Sequence, residues 1–175
     1  GLICAFRETE KLSLRLSSLE VGKNREPLWP SEIVGSISHT KKMAISVIDS
    51  CQSSRALGID IEEVIEEGKI TTIEKMVATK KDLAFLKLFS KKREAYTVLF
   101  SAKEALYKLL FPLCQEFFGF QEAELKALDM DRGEFLLRLN SENPKLKEFL
   151  GNYRGKFFSI DGQIISVIRL AHNSN

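Results

Sequence analysis

Apolar side chains recur along the chain at two different spacings, and each spacing predicts a different kind of element. Leucines at helical intervals predict a first helix over residues 7–21, which Gly22 would end as a C-cap. Alternating apolar residues after this helix predict three short strands, the first two around a polar turn. We expect these strands over residues 34–38, 43–49 and 56–62.

The longest helical pattern lies in the second part of the chain and is followed by alternating patterns. Thr79 and Asp82 fit a capping box that opens a short helix ending near Phe89. A long helix is expected over residues 91–110, with Pro112 as its end. Two β-hairpins should follow it, with turns at residues 131–133 and 161–162.

One strand pattern occurs twice. The sequence MAISVIDS near residue 45 is similar to IISVIRLA near residue 166, and each follows another strand after a tight turn. Two similar αβ halves around a pseudo-twofold axis would explain this echo, and a merely common strand pattern would explain it equally well. No low-complexity linker separates the halves, so one compact unit is expected.

Composition and charge narrow the class of protein. With 175 residues, 44% hydrophobic and 29% charged, the chain has the balance of one folded globular domain. Its apolar runs are too short for a transmembrane segment, and its first residues lack the pattern of a signal peptide. The net charge of +2 is too small to indicate a nucleic-acid partner.

Cysteine and histidine usage argues against a zinc site or a disulfide framework. The three cysteines, Cys4, Cys51 and Cys114, are scattered without a CxxC pair, and only two histidines are present. A reducing cytoplasm is the simplest compartment for such a chain.

Two carboxylates alternate with isoleucines in the third strand. Asp60 and Glu62 should share one face of this strand, while Ile59 and Ile61 enter the core. Such close carboxylates repel each other unless a cation joins them, and hard oxygen ligands suit Mg²⁺, Mn²⁺ or Ca²⁺. The alternative is a strand end that runs into a solvated acidic segment, and the pair alone favours this alternative.

Charged residues interrupt the apolar long helix at Lys103, Glu104 and Lys108. Glu104 and Lys108 are four residues apart and therefore lie on one face. This face is either an ordinary surface ion pair or a third carboxylate ligand beside cations, an arrangement that suits a phosphate ester bound through Mg²⁺.

Ser38 and His39 stand at the end of the first strand. A catalytic serine–histidine pair is disfavoured, because adjacent residues rarely point together and no G-x-S-x-G turn accompanies them. Hydrogen bonds from both side chains to a phosphate are the more plausible function, and a plain turn residue is the alternative for the histidine.

Three stretches, in chain order, resemble the signature blocks of the 4′-phosphopantetheinyl transferases. They are PLWPSEIVGSISHT, LGIDIE and FSAKEALYKL, and the match looks like the surfactin-synthetase-activating superfamily of the enterobactin-synthase-component-D type. The resemblance covers roughly residues 7–170. It implies an α+β fold of two similar αβ halves in a pseudo-twofold arrangement, with the active site in the cleft between them.

The activity that the resemblance implies is transfer of the 4′-phosphopantetheine group from coenzyme A to a serine of an apo acyl or peptidyl carrier protein. The by-product is 3′,5′-ADP, the metal is Mg²⁺ with Mn²⁺ as an alternative, and a cytoplasmic monomer is expected. The N-terminal half would span residues 1–56, with an incomplete start, and the C-terminal half residues 57–175. A catalytically impaired coenzyme A-binding or regulatory module of the same fold is the alternative.

The resemblance also implies a role for each matching residue. Asp60, Glu62 and Glu104 would hold the metal ion, with Glu104 also a candidate base for the incoming serine. Lys103 and Lys108 match the lysines that meet the phosphates, and Lys108 is counted with Glu104 as catalytic. The remaining coenzyme A contacts are expected from Ser38, His39, Arg25 and, with the weakest match, Arg7.

Two departures and one surface complete the expectations. Thr40 stands where this type often has Cys or Ser, and Ala105 replaces the serine usual after the glutamate; neither is a metal ligand, so little effect is expected.

A basic stretch could meet an acidic carrier, or could simply be a solvated helix face. Its members are Lys80, Lys81, Lys87, Lys91, Lys92 and Arg93.

Overall fold

Helices and antiparallel strands together form the described part of the chain, so the fold class is α+β as expected. The computed structural model describes residues 19–24 and 26–172. The helices in this part are α1 (Ile70–Met76), α2 (Lys80–Leu86) and α3 (Lys92–Cys114). The strands are β1 (Glu20–Val21), β2 (Pro27–Leu28), β3 (Ile33–His39), β4 (Ala44–Ser50), β5 (Ser54–Glu63), β6 (Ala123–Asp129), β7 (Glu134–Leu139), β8 (Gly151–Ile160) and β9 (Gln163–Ala171).

A five-stranded antiparallel sheet in the order β5–β9–β8–β7–β6 carries the larger hydrophobic core. Helix α3 packs on β5 and β9, and its inward residues Leu99, Leu106 and Leu109 are fully buried. The turn between β8 and β9 uses Asp161 and Gly162 at φ of 47° and 71°, the left-handed values of a tight hairpin. None of the three helices described for this chain is long and apolar enough to cross a bilayer.

The two faces of β5 meet different partners. Gly58 faces α3: a Cβ atom built on this glycine would lie 2.0 Å from the carbonyl oxygen of Ala105. Strand alternation puts Asp60 and Glu62 on this same face. Ile59 and Ile61 are buried on the opposite face, as predicted.

Serine hydroxyls connect β3 to β5. Strand β3 forms its backbone ladder with β4, in a separate two-stranded sheet. The hydroxyl of Ser36 accepts a hydrogen bond from the Ile59 amide at 3.1 Å, and Ser38 accepts one from the Ile61 amide at 3.3 Å. These side chains satisfy amides on the edge of β5 that does not pair with β9. They therefore anchor the first hairpin beside the larger sheet.

The repeated strand pattern occupies equivalent places in two hairpins. Its first copy lies in β4, the second strand of the β3–β4 hairpin, and its second copy lies in β9, the second strand of the β8–β9 hairpin. The boundary expected between residues 56 and 57 falls inside β5, which pairs with β9 along nearly its whole length, so we propose that the halves join instead at the connection between β4 and β5.

Most predicted elements are confirmed, and the differences are local. The three early strands, both hairpins and the capping box of Thr79 and Asp82 are present, although α2 ends at Leu86 and not near Phe89. Most of the predicted first helix lies outside the described residues. Its last two residues form β1, which pairs with β2, so Gly22 stands in a turn and is not a helix C-cap.

The prediction that Pro112 ends the long helix was wrong. Helix α3 continues through Pro112 to Cys114. Pro112 cannot donate to the Lys108 carbonyl, and its ring crowds that carbonyl, yet the helix runs only two residues beyond it. The helix then closes at Gln115, whose φ is 52° and whose amide donates to the carbonyl of Phe111 at 2.8 Å.

We predict that Gly58→Ala destabilises the fold by about 3 kcal/mol, because the new methyl group meets a backbone carbonyl that cannot turn away. Urea unfolding of the two proteins measures the difference. Gly68→Ala is the matched control, since a Cβ atom there meets nothing within 4 Å and should change stability by less than about 0.5 kcal/mol. Equal effects of the two substitutions would contradict the close contact.

Candidate active site

Three elements meet at the carboxylate of Asp60. The ammonium of Lys108, on α3, lies 2.6 Å from Asp60 Oδ1 and 2.9 Å from the hydroxyl of Ser38, on β3. Ser38 in turn donates its hydroxyl proton to Asp60 Oδ1 at 2.9 Å. Asp60 is almost wholly buried, whereas Lys108 is partly exposed. A residue from the first hairpin thus joins the sheet and the helix at one buried charge.

Glu62 and Glu104 stand close enough to Asp60 to feel its charge. Burial, followed by the charges of Asp60 and Glu104, raises the pKa of the Glu62 carboxyl to about 7, against the opposing effect of Lys108. Burial and the charge of Asp60 also raise the pKa of Glu104. The three predicted carboxylates are therefore neighbours, and a single lysine does not compensate their charge.

The donor chemistry of this cluster fits a hard divalent cation. Asp60, Glu62 and Glu104 would supply carboxylate oxygens, which Mg²⁺ prefers, and a cation would offset both the burial of the two glutamates and their repulsion by Asp60. Within residues 19–24 and 26–172, no three potential ligands are already converged on one point. The glutamates would therefore have to turn toward Asp60 to hold an ion.

Lys108 forms a different ion pair from the one its spacing suggested. The prediction weighed a surface pair with Glu104 at i,i+4, whereas the ammonium bonds Asp60 across the interface between helix and sheet. Its charge still lowers the pKa of both glutamates. The lysine is thus positioned to face any anionic group that approaches the cluster.

Ser38 and His39 separate in the structure. The Ser38 hydroxyl is saturated, because it donates to Asp60 and accepts from Lys108 and the Ile61 amide. His39 is exposed at the end of β3. Arg7 and Arg25, the other predicted coenzyme contacts, lie outside the described residues.

Lys103 does not join the cluster, which corrects its predicted contact with phosphates. Its ammonium donates to Asp82 Oδ2 at 2.7 Å, to the Val77 carbonyl at 2.8 Å and to the Phe120 carbonyl at 2.9 Å. All three protons are used in a site where the Lys103 side chain is 1% exposed. Successive helical residues point about 100° apart, so Lys103 faces the core while Glu104 faces the cluster.

Asp82 has more structural contacts than the capping box that the sequence predicted for it. Its Oδ2 accepts from the Thr79 amide and its Oδ1 from the Leu125 amide, in addition to the ion pair with Lys103. Burial lowers the pKa of Lys103 and the charge of Asp82 opposes that effect. The pair therefore ties α2, α3 and the start of β6 together behind Glu104.

Two cavities open on either side of Glu104. The hairpin-side cavity, of about 220 Å³, lies between α3 and the first hairpin. Its walls include Asn24, Trp29, Ser36, Glu104, Tyr107 and Lys108. The aromatic cavity, of about 200 Å³, is lined by Glu104, Tyr107, Phe117, Phe118 and Phe120, and the saturated Lys103 side chain also borders it. Tyr107 and Glu104 belong to both.

Sequence reasoning missed the residues that join the two hairpins and the two cavities. Thr40 donates to Gln163 Oε1 at 2.7 Å, which fastens the β3–β4 turn to β9. Tyr107 lies three residues after Glu104, and the sequence predicted only that it belongs to the long helix. Residues three apart lie on one face of a helix, so the spacing of Tyr107 from Glu104 could have indicated that both line the site.

Two family models match the chain. One is described as the 4′-phosphopantetheinyl transferase superfamily and matches residues 56–165, which is more than half of the chain. The other is described as the 4′-phosphopantetheinyl transferase N-terminal domain and matches residues 1–49. Between them they include all the residues of the cluster.

Curated relatives agree with the family models. The chain is 33% identical over 85 residues to enterobactin synthase component D of Escherichia coli O157:H7, a match that covers 42% of this chain and 39% of that protein. It is 29% identical over 172 residues to the 4′-phosphopantetheinyl transferase Svp of Streptomyces mobaraensis, covering 97% of this chain and 69% of that protein. The matched part therefore spans well under half of the enterobactin relative.

Solved structures give two further similarities. The holo-[acyl-carrier-protein] synthase of Thermotoga maritima has a TM-score of 0.48 and 19% identity, covering 66% of this chain and 62% of that chain. The holo-ACP-synthase of Plasmodium yoelii has a TM-score of 0.48 and 21% identity, covering 68% of this chain and 94% of that chain.

We predict that Glu62→Gln stabilises the metal-free protein at about pH 8 but not at about pH 5. The folded-state carboxyl keeps its proton up to about pH 7, whereas an ordinary one loses it near 4.5, so its contribution to stability is present at low pH and lost between these values. The expected gain is about 1–2 kcal/mol, less than the full pKa shift because the side chain is partly solvated.

Urea unfolding at the two pH values measures this effect. Glu67→Gln, an exposed glutamate outside the cluster, is the control and should give the same small change at both. A Glu62→Gln effect that does not depend on pH would contradict the raised pKa of the Glu62 carboxyl.

We predict that Lys103→Met lowers the free energy of unfolding by about 3–5 kcal/mol, because it leaves the buried Asp82 charge without a partner. Lys81→Met removes an exposed ion pair with Glu124 and should cost less than about 0.5 kcal/mol. A Lys103→Met protein of unchanged stability but weakened coenzyme A binding would restore the phosphate contact that the structure contradicts.

Proposed function

We propose, from the premise that this chain belongs to the 4′-phosphopantetheinyl transferase superfamily, that it transfers the 4′-phosphopantetheine group of coenzyme A to a serine of an apo carrier protein and releases 3′,5′-ADP. The reaction depends on Mg²⁺, with Mn²⁺ as an alternative. The observation that carries this proposal is the cluster itself: Asp60 contacts Lys108 and Ser38, with Glu62 and Glu104 beside it.

The chemistry needs one bond to form and one to break. The serine oxygen bonds to the β-phosphorus of coenzyme A, the bond from that phosphorus to the 3′,5′-ADP oxygen breaks, and the serine proton leaves. Glu104 accepts the proton in this proposal, because its carboxylate borders both cavities and therefore lies beside the path of the reacting groups. Lys108 stabilises the negative charge that develops on the phosphate oxygens.

Asp60, Glu62 and Glu104 would hold the metal ion. When bound, Mg²⁺ supplies charge stabilisation for the pyrophosphate oxygens. The residues themselves orient the phosphates: Ser38 fixes Asp60 through its hydrogen bond, and Lys108 lies against the same carboxylate oxygen. Positioning of this kind provides a large share of phosphoryl-transfer catalysis.

The two cavities support a path for coenzyme A past Glu104. The hairpin-side cavity adds polar side chains, Asn24 and Lys108 among them, to a largely apolar wall, and it suits the base and phosphates of the nucleotide. The aromatic cavity suits the less polar pantetheine arm, since four aromatic side chains line it. A molecule that fills both passes Glu104 and Tyr107, which both cavities share.

Contacts from Arg7, Arg25 and His39 to the coenzyme remain part of this proposal. Asn24 and Glu26, which precede and follow Arg25 in the chain, line the hairpin-side cavity. The exposed end of β3 leaves His39 accessible to a phosphate.

The carrier protein would approach the cluster from outside, and the basic stretch is the candidate docking surface. All six of its side chains are exposed. Lys81 already pairs with Glu124, and Arg93 donates to the Ile65 carbonyl, which leaves Lys80, Lys87, Lys91 and Lys92 to meet an acidic carrier.

We further propose that the protein works as a monomer in a reducing cytoplasm. A monomer suffices because the cluster takes Ser38, Asp60 and Lys108 from one chain. Free thiols at Cys51 and Cys114 suit a reducing compartment.

The direct test is a mass-spectrometric assay with coenzyme A, Mg²⁺ and a panel of apo acyl and peptidyl carriers. Wild type should add the mass of one phosphopantetheine to a carrier. Glu104→Gln, which keeps the shape of the side chain, should slow the reaction at least about 100-fold because it cannot accept the serine proton. Glu67→Gln should react at the wild-type rate.

Two outcomes would contradict parts of the proposal. An unchanged rate in Glu104→Gln would remove this residue from catalysis. Coenzyme A binding by calorimetry without modification of any carrier would favour the impaired binding module over the enzyme.

A further inference from the structure

Three buried polar atoms around the cluster have no hydrogen-bond partner among the described residues. They are Asp60 Oδ2, Ser166 Oγ and Ser101 Oγ. Asp60 is 2% exposed, and both serines are wholly buried. Buried polar groups of native proteins are nearly always paired with protein or with ordered water, so each of these atoms calls for an explanation.

Asp60 and Ser166 stand directly opposite each other in the sheet. They are register partners in the antiparallel pair of β5 and β9. Opposite residues of such a pair share one face, with Cβ atoms about 4.5–5.5 Å apart. Ile164 and Ile168 flank Ser166 on this face and are buried in the core beneath α3. The two polar side chains therefore form an isolated polar spot in an apolar layer.

Ser101 belongs to the helix that covers this spot. Two contacts bracket its place: the Ala105 carbonyl lies over Gly58, and the Thr97 hydroxyl accepts from the Ile65 amide. Ser101 is one helical turn from each of these residues, on the same face of α3. It therefore covers the segment of β5 between Gly58 and Ile65, which contains Asp60.

The two oxygens of Asp60 differ in their environment. Oδ1 accepts from Lys108 and from Ser38, on the side of β3. Oδ2 is the oxygen left for the opposite side, where Ser166 stands on β9. One water molecule that donates to Oδ2 and accepts from both serine hydroxyls would satisfy all three atoms, and a buried water typically makes about three hydrogen bonds.

We propose that a buried water binds between Asp60 Oδ2, Ser166 Oγ and Ser101 Oγ, and that Ser166 and Ser101 are positioning residues that fix the Asp60 carboxylate through this water. The carboxylate is then held from both sides, by Ser38 and Lys108 on one oxygen and by the water on the other. Its consequence for the cation, which rests on the proposed function, is that Asp60 reaches the ion in a fixed orientation.

The substitution Ser166→Ala tests the water site by the sign of its effect. If the Ser166 hydroxyl lacks a partner, its removal should not lower the stability of the protein. If it binds the water at Asp60, its removal should lower that stability. We expect the melting temperature of the metal-free protein to fall by about 2–4 °C. Ser46→Ala is the control, because the Ser46 hydroxyl is also buried without a described partner but lies on β4. Its removal should not lower the melting temperature.

These measurements are made in EDTA without coenzyme A, so their outcome does not depend on transferase activity. A crystal structure of the wild type should show the water within hydrogen-bond distance of the three atoms. An unchanged or higher melting temperature in Ser166→Ala, or a direct bond from Ser166 to Asp60 with no water, would overturn the proposal.

A second readout separates positioning from mere stability. Binding of Mn²⁺, followed by electron paramagnetic resonance, should weaken about 10-fold in Ser166→Ala and not in Ser46→Ala. Equal Mn²⁺ affinities in the wild type and Ser166→Ala would refute the positioning function. If the wild type binds no Mn²⁺ while the water is present, the metal site fails and the water site stands.

Discussion

The close approach of α3 to β5 at Gly58 is the constraint on which the site depends. With no side chain at this position, the helix backbone comes within contact distance of the strand, and a Cβ atom would collide with the Ala105 carbonyl. This spacing lets Lys108 reach Asp60 with a 2.6 Å contact. Glu104, one turn earlier on α3, is then close enough to Glu62 to raise the pKa of its carboxyl.

Two lysine–aspartate ion pairs lie near this interface and have different functions. Lys103 and Asp82 form a saturated pair in the core and hold α2, α3 and β6 together. Lys108 and Asp60 form a partly exposed pair beside two glutamates of raised pKa. The first pair has no capacity left for a ligand, whereas the second lies between two cavities. Lys103 therefore stabilises the fold, whereas Lys108, five residues later on the same helix, can face a ligand.

The periodicity of the sequence predicted which site residues share a face of one helix or strand, but not which residues of different elements contact each other. Strand alternation correctly grouped Asp60 with Glu62, and helix spacing grouped Glu104 with Lys108. The contact of Ser38 with Lys108 depends on how separate elements pack, which no local pattern contains. Lys103 was misassigned because adjacency to Glu104 in the chain conceals their different directions on the helix. The end of α3 was misplaced because a proline weakens a helix at its own position without fixing the residue at which the helix ends.

The central claim is that Asp60, Glu62 and Glu104 form one repelling cluster that a divalent cation relieves. Site-resolved NMR titration of the Glu62 carboxyl in the metal-free protein, repeated with Mg²⁺, tests it most directly. The structure predicts a pKa of about 7 without the metal and a clearly lower pKa with it. An ordinary glutamate pKa that Mg²⁺ leaves unchanged would contradict the account.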